Sequence, residues 1–122
     1  MQSPDVYITL GSNINSHENI RRCVQLLRQQ CTVKAVSSVY RTAPEEFADQ
    51  DDFLNAVVCL QTERSPVEFK LQIIGGIEQA LHRVRDPNNI AGPRTIDLDI
   101  TLWGNESFDY GDKPCMCRIA IF

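Results

Sequence analysis

Between Ile96 and Trp103 the chain alternates, with Ile96, Leu98, Ile100 and Leu102 on one side and Asp97 and Asp99 on the other. A period of two belongs to a strand with one dry face and one wet face. Such a strand sits in a sheet that is covered on one side only. The partner layer must therefore be supplied by elements packing against the dry face.

The rest of the chain supplies that layer. Val6, Ile8 and Leu10 alternate with Tyr7 and Thr9, which predicts a first strand over 6–10. Gly11-Ser12-Asn13 ends it. Asn15 stands three residues before Glu18, a spacing similar to a capping box. Ile20, Cys23, Val24, Leu27 and Cys31 then follow at helical spacing, predicting a helix over roughly 16–30. Val33 to Tyr40 reads as a second strand and Phe53 to Thr62 as a third, with an acidic, Pro44-containing loop over 41–52 between them. In the third strand Leu54, Ala56, Val58 and Leu60 share one face, and Phe53, Asn55, Val57 and Cys59 the other. Ser65-Pro66-Val67-Glu68 opens a second helix, with a Ser cap, Pro at the first helical position and Glu three residues after the cap. Val67, Leu71, Ile74, Ile77 and Leu81 form its expected buried stripe. Gly75-Gly76 inside it signals either close packing or a tolerated weakness. The order strand, helix, strand, strand, helix, strand predicts an α+β ferredoxin-like βαββαβ sandwich, an antiparallel sheet with two helices on one face.

A chain of 122 residues is expected to form one domain, 1–122. Its net charge of −4 argues against nucleic acid as a partner, and no RNP-like aromatic strand supports an RNA-binding module. Five cysteines, an odd count with no export signal, point to reduced thiols and a cytoplasmic setting. Cys23, Cys31 and Cys59 fall at positions that read as core, and Cys115-Met116-Cys117 matches no common zinc or redox spacing. No stretch approaches a membrane span.

Asp97 and Asp99 lie about 6.7 Å apart along the open face of their strand. Two like charges side by side destabilise a bare strand, so a compensating cation is expected. Magnesium suits the pair, because it takes oxygen ligands and shares them with substrate phosphates. Two solvated aspartates on an exposed strand are the alternative. Arg83, Arg85 and Arg94 flank the loop that feeds this strand, and clustered guanidiniums beside carboxylates suit a polyphosphate. For Arg83 and Arg85 a basic helix C-terminus explains the charges equally well. No Walker A sequence is present, and His17 and His82 read as surface residues. Phe53 and Asn55 share the open face of the third strand, where a ring and an amide suit a flat heterocycle. An exposed aromatic at a strand start is the alternative.

Four segments carry a resemblance. They are Tyr7-Ile8-Thr9-Leu10-Gly11-Ser12-Asn13, Ser37-Ser38-Val39-Tyr40-Arg41-Thr42, Asp52-Phe53-Leu54-Asn55-Ala56-Val57-Val58 and Gly92-Pro93-Arg94-Thr95-Ile96-Asp97-Leu98-Asp99. In order and spacing they resemble the 6-hydroxymethyl-7,8-dihydropterin pyrophosphokinases of folate biosynthesis, over roughly residues 6–104. The resemblance implies the ferredoxin-like fold and transfer of pyrophosphate from ATP to a pterin hydroxymethyl group, with AMP leaving. It implies two magnesium ions on Asp97 and Asp99, with Arg83 and Arg94 joining them as catalytic residues. Glu78, Arg83, Arg85, Arg94 and Ile100 would meet ATP. Thr42, Ala43, Pro44, Phe53, Asn55 and Asp97 would meet the pterin. The chain departs from the family pattern at Asn88-Asn89-Ile90-Ala91, at Glu46, and from Asn105 to Phe122, where a Pro-His element and a second stacking aromatic are expected. These departures keep a weakly active or inactive relative, binding a pterin, a nucleotide or a protein partner, as the alternative function.

Overall fold

The computed structural model describes residues 3–43, 50–84, 93–104 and 106–107. Six strands form one sheet: β1 (Val6–Ser12), β2 (Thr32–Val36), β3 (Tyr40–Thr42), β4 (Phe53–Gln61), β5 (Asp97–Trp103) and β6 (Glu106–Ser107). Helix α1 spans Ser16–Gln30. The second helical run joins α2 (Pro66–Glu68), a π-helical stretch (Phe69–Ile74) and α3 (Gly75–Ala80). The sheet order is β2-β4-β1-β5-β6, all antiparallel, with β3 also pairing β4. This is the expected α+β ferredoxin-like sandwich. Ile20, Cys23 and Leu27 of α1 and Phe69, Ile73, Ile74 and Ile77 of the second run meet Val6, Ile8, Leu10, Val58, Leu98 and Ile100 in one core. Both helices therefore cover the same face, and no described helix packs on the other. No helix among the described residues is long and apolar enough to cross a membrane.

Several local expectations change. The second strand divides into β2 and β3, which both line the outer edge of β4. Between them the Ser37 hydroxyl takes over a ladder bond, accepting from the Val57 N–H at 2.8 Å. Asn15 precedes α1 in a left-handed conformation and makes no side-chain cap. A capping side chain needs an extended backbone at that position. Glu18 instead pairs with Arg21, and the Asn19 amide donates to the Ile14 carbonyl at 2.7 Å.

The second helix starts as its sequence demands, with the Ser65/Glu68 capping box formed in both directions. Its buried stripe differs, because the π stretch widens one turn. Phe69 and Ile73 turn inward with Ile74, Ile77 and Leu81, while Val67 and Leu71 are 67% and 70% exposed. Phe69 meets Trp103 edge to face at 5.9 Å. A Cβ on Gly76 would meet nothing within 4 Å, so the glycine pair is not a close-packing device.

On β5 the alternation holds through Ile100 and then slips. Tyr7 pairs with Leu102 and Ile8 with Ile100, so Thr101 is an extra residue, a β-bulge. Its hydroxyl donates to the Tyr7 carbonyl at 2.9 Å. Beyond the bulge Trp103, not Leu102, enters the core. Cys23 is buried and Cys31 packs on the core, whereas Cys59 is half-buried outside the core cluster.

Candidate active site

The register places the chemistry. Gly11 on the central strand is paired with Asn55 of β4 on one side and Asp97 of β5 on the other. Thr9, one row along, is flanked by Val57 and Asp99. Neighbouring strands are about 4.8 Å apart, so Asn55 and Asp97 stand about 10 Å apart across a glycine floor. A Cβ on Gly11 would lie 3.3 Å from Asn55 Oδ1 and 4.0 Å from Phe53 Cδ1. The missing side chain keeps this floor open between amide and carboxylate.

The pterin-side candidates sit at one end of the floor. Asn55 Nδ2 donates to Thr42 Oγ1 at 2.6 Å, joining β4 to β3. Phe53 is half-buried, and the Arg94 guanidinium carbon lies 5.5 Å from its ring centroid, a cation–π contact. Ala43 is exposed at the end of β3; Pro44 and Arg85 lie outside the described residues.

On the other side the charges converge. Helix α3 ends at Ala80 with Leu81 as its C-cap, and His82 adopts φ +60°, which reverses the chain. The Arg83 N–H donates to the Glu78 carbonyl at 2.9 Å. The Arg83 side chain thereby turns back onto the sheet and is only 9% exposed. Its Nη1 contacts Glu78 Oε2 and donates to Asp97 Oδ1 at 2.9 Å. Arg94 Nη1 donates to Asp97 Oδ2 at 3.2 Å. Both oxygens of Asp97 thus accept from a guanidinium. Arg83 is no mere complement to a helix dipole, and Asp97 is no solvated strand residue. Among the described residues no group accepts from the buried Arg83 Nε.

Ile100 is 4% exposed on the helix-covered face, opposite the aspartates. Only its main chain is available to a nucleotide. Glu78 had no readable signal in its spacing; the fold brings it to Arg83. His17 and His82 are exposed.

Two residues of the floor and its rim carried no assigned role in the sequence. One is Gly11. The other is Asn13, buried at 4% exposure just past β1. Its Oδ1 accepts from the Arg94 N–H at 2.8 Å, and its Nδ2 donates to Gln50 Oε1 at 2.5 Å and to the Asp51 carbonyl at 3.1 Å. The only signal for it is a polar residue placed directly after an apolar strand.

A metal ion places its own demand on the donor set. Among the described residues no group of three or more His, Cys, Asp or Glu side chains could hold one. Asp97 and Asp99 nevertheless face the same side of β5, paired with Gly11 and Thr9. Two carboxylates with phosphate oxygens completing the shell is how magnesium is commonly held. The residues fit that ion and do not fit a closed protein cage.

The profile of the family described as 7,8-dihydro-6-hydroxymethylpterin-pyrophosphokinase (HPPK) matches residues 7–119. The chain belongs to this family. It is 43% identical over 106 residues to the 2-amino-4-hydroxy-6-hydroxymethyldihydropteridine pyrophosphokinase of Bacillus subtilis, covering 84% of this chain and 62% of that protein. The protein of the same name from Haemophilus influenzae is 40% identical over 103 residues, covering 82% and 62%. That from Pseudomonas aeruginosa is 37% identical over 107 residues, covering 85% and 64%. The chain therefore spans a little under two thirds of the length of these relatives.

Proposed function

We propose that this chain transfers pyrophosphate from ATP to the hydroxymethyl group of 6-hydroxymethyl-7,8-dihydropterin, releasing AMP. The observation that carries the reading is the convergence of Arg83 and Arg94 on Asp97, across a glycine floor from Asn55 and Phe53. Phosphoryl transfer asks little covalent chemistry of the protein and much positioning and charge stabilisation. This site offers both.

The hydroxymethyl oxygen forms a bond to the β-phosphorus, and the bond from that phosphorus to the α,β-bridging oxygen breaks. AMP departs with that bridging oxygen, and the hydroxyl proton is lost to solvent. Asn55 and Thr42 hold the edge of the heterocycle, and Phe53 offers its face. Arg83, anchored by Glu78, and Arg94 bear on the phosphates, where guanidinium donors match the oxygen geometry. In this reading Asp97 and Asp99 would hold magnesium, which would offset phosphate charge and favour ionisation of the hydroxyl. Three free thiols among the described residues and the proposed use of ATP support a cytoplasmic location.

The test is AMP formation from ATP, followed by chromatography, with each of magnesium and the pterin omitted in turn. AMP should form only when all components are present, and Asp97→Ala should abolish it. A near-normal rate in that variant would sink the role given to Asp97. Calorimetric binding of pterin and an ATP analogue without turnover would instead favour a binding relative.

A further inference from the structure

We propose that Asn13 is a positioning residue that fixes the two halves of the site relative to each other; the proposal rests on the pyrophosphokinase reading. Its main-chain N–H donates to the Arg94 carbonyl at 3.1 Å, and its Oδ1 accepts from the Arg94 N–H at 2.8 Å. Arg94 is thus clasped at both ends of its own backbone. The opposite atom of the same amide, Nδ2, holds Gln50 Oε1 at 2.5 Å and the Asp51 carbonyl at 3.1 Å. Gln50 and Asp51 lead directly into Phe53 and the start of β4.

The two partners are far apart in sequence, 81 residues for Arg94 and 37 for Gln50. Asn13 joins them from the end of β1, whose Gly11 forms the floor between Asn55 and Asp97. The chemistry needs an amide. Asn carries one acceptor and a two-proton donor on a short stem. Asp accepts from Arg94 but cannot donate to the Asp51 carbonyl, and Ala does neither. Asn13 is also buried, so an atom of its amide that loses its partner is left without water.

Arg94 reaches both Asp97 Oδ2 and the Phe53 ring. A shift of its backbone therefore moves a phosphate-side donor and the neighbour of the pterin-side ring together. Misplacement of about 1 Å is enough to cost on the order of a hundredfold in rate.

The experiment compares wild type, Asn13→Ala and Asn13→Asp by amide hydrogen exchange on the free chain and by steady-state kinetics below the melting temperature. In Asn13→Ala, exchange should quicken both at Arg94 and at 50–53. In Asn13→Asp, Arg94 should stay protected and only 50–53 should open. Asn13→Ala should lower kcat by at least about tenfold and raise KM for both substrates. Asn13→Asp, which keeps the contact to the Arg94 N–H and loses the one to the Asp51 carbonyl, should raise KM for the pterin more than for ATP. A purely structural role would lower the melting temperature and leave kcat and both KM values within twofold; that result overturns the proposal. If one variant fails to fold, the other still gives an exchange pattern and a KM split. If wild type neither binds the substrates nor turns over, the functional reading falls. Exchange then decides the clasp by itself: opening at one segment alone refutes it, and joint opening in Asn13→Ala upholds it.

Discussion

Replacing Arg83 with Met removes one cation and keeps most of its aliphatic stem. Arg83 is 9% exposed and bridges Glu78 and Asp97, whose side chains are 12% and 20% exposed. Removing one member of such a buried set costs about 3–5 kcal/mol, because the remaining charge is left uncompensated in a poor solvent. Asp97 keeps Arg94 at 3.2 Å, so the lower end applies, about 3 kcal/mol. The buried, acceptor-less Nε of Arg83 reduces the loss further, since its desolvation cost disappears with it. Urea unfolding followed by circular dichroism measures the effect. With a slope of about 1.5 kcal/mol/M, the midpoint should fall by up to about 2 M at unchanged slope. Arg83→Met combined with Glu78→Gln should recover a good part of that loss, because removing both charges of a buried pair is often close to neutral. A single variant that loses less than about 1 kcal/mol, or a double variant as unstable as the sum of its parts, would refute the buried-network account.

Two further outcomes follow from the packing. Gly11→Ala should raise KM for the pterin by about tenfold with little change for ATP, because the new methyl lies 3.3 Å from Asn55 Oδ1 and strains its bond to Thr42. Steady-state kinetics with each substrate varied in turn checks this, and an unchanged pterin KM would count against the glycine floor. Burial, reinforced by the charge of Glu78, pushes the Cys23 thiol from 9.0 up to about 12. The folded state then holds that proton to higher pH than the unfolded state. Its contribution to stability is present below pH 9.0 and is lost as pH rises toward 12. Iodoacetamide at neutral pH, with peptide mapping by mass spectrometry, should mark Cys59 well before Cys23 until denaturant is added. Equal native-state labelling would contradict the burial.

Much of the architecture was legible in local patterns. Period-two alternation assigned the faces of β1, β4 and most of β5, and it put Asp97 and Asp99 on the open side. The Ser65-Pro66-Val67-Glu68 start was readable because a capping box closes within four residues. Where a pattern was compatible with more than one local geometry, it misled. Val67 and Leu71 fit an α-helical stripe, but a π turn moved Phe69 and Ile73 into the core instead. Leu102 fit the alternation, but the bulge at Thr101 exchanged it for Trp103.

By itself, the sequence determined which residues share a face, since that depends only on backbone period and on where apolar groups must go. It therefore fixed the sheet, its covered side and the identity of the carboxylate pair. The tertiary structure alone decided how those faces are aligned. Gly11 lies between Asn55 and Asp97 only through the register of three antiparallel strands. Arg83 enters the site only because the chain reverses at His82, and Asn13 meets Arg94 across 81 residues. Such contacts have no local signature, because they form only once the strands have paired and the core has closed beneath them.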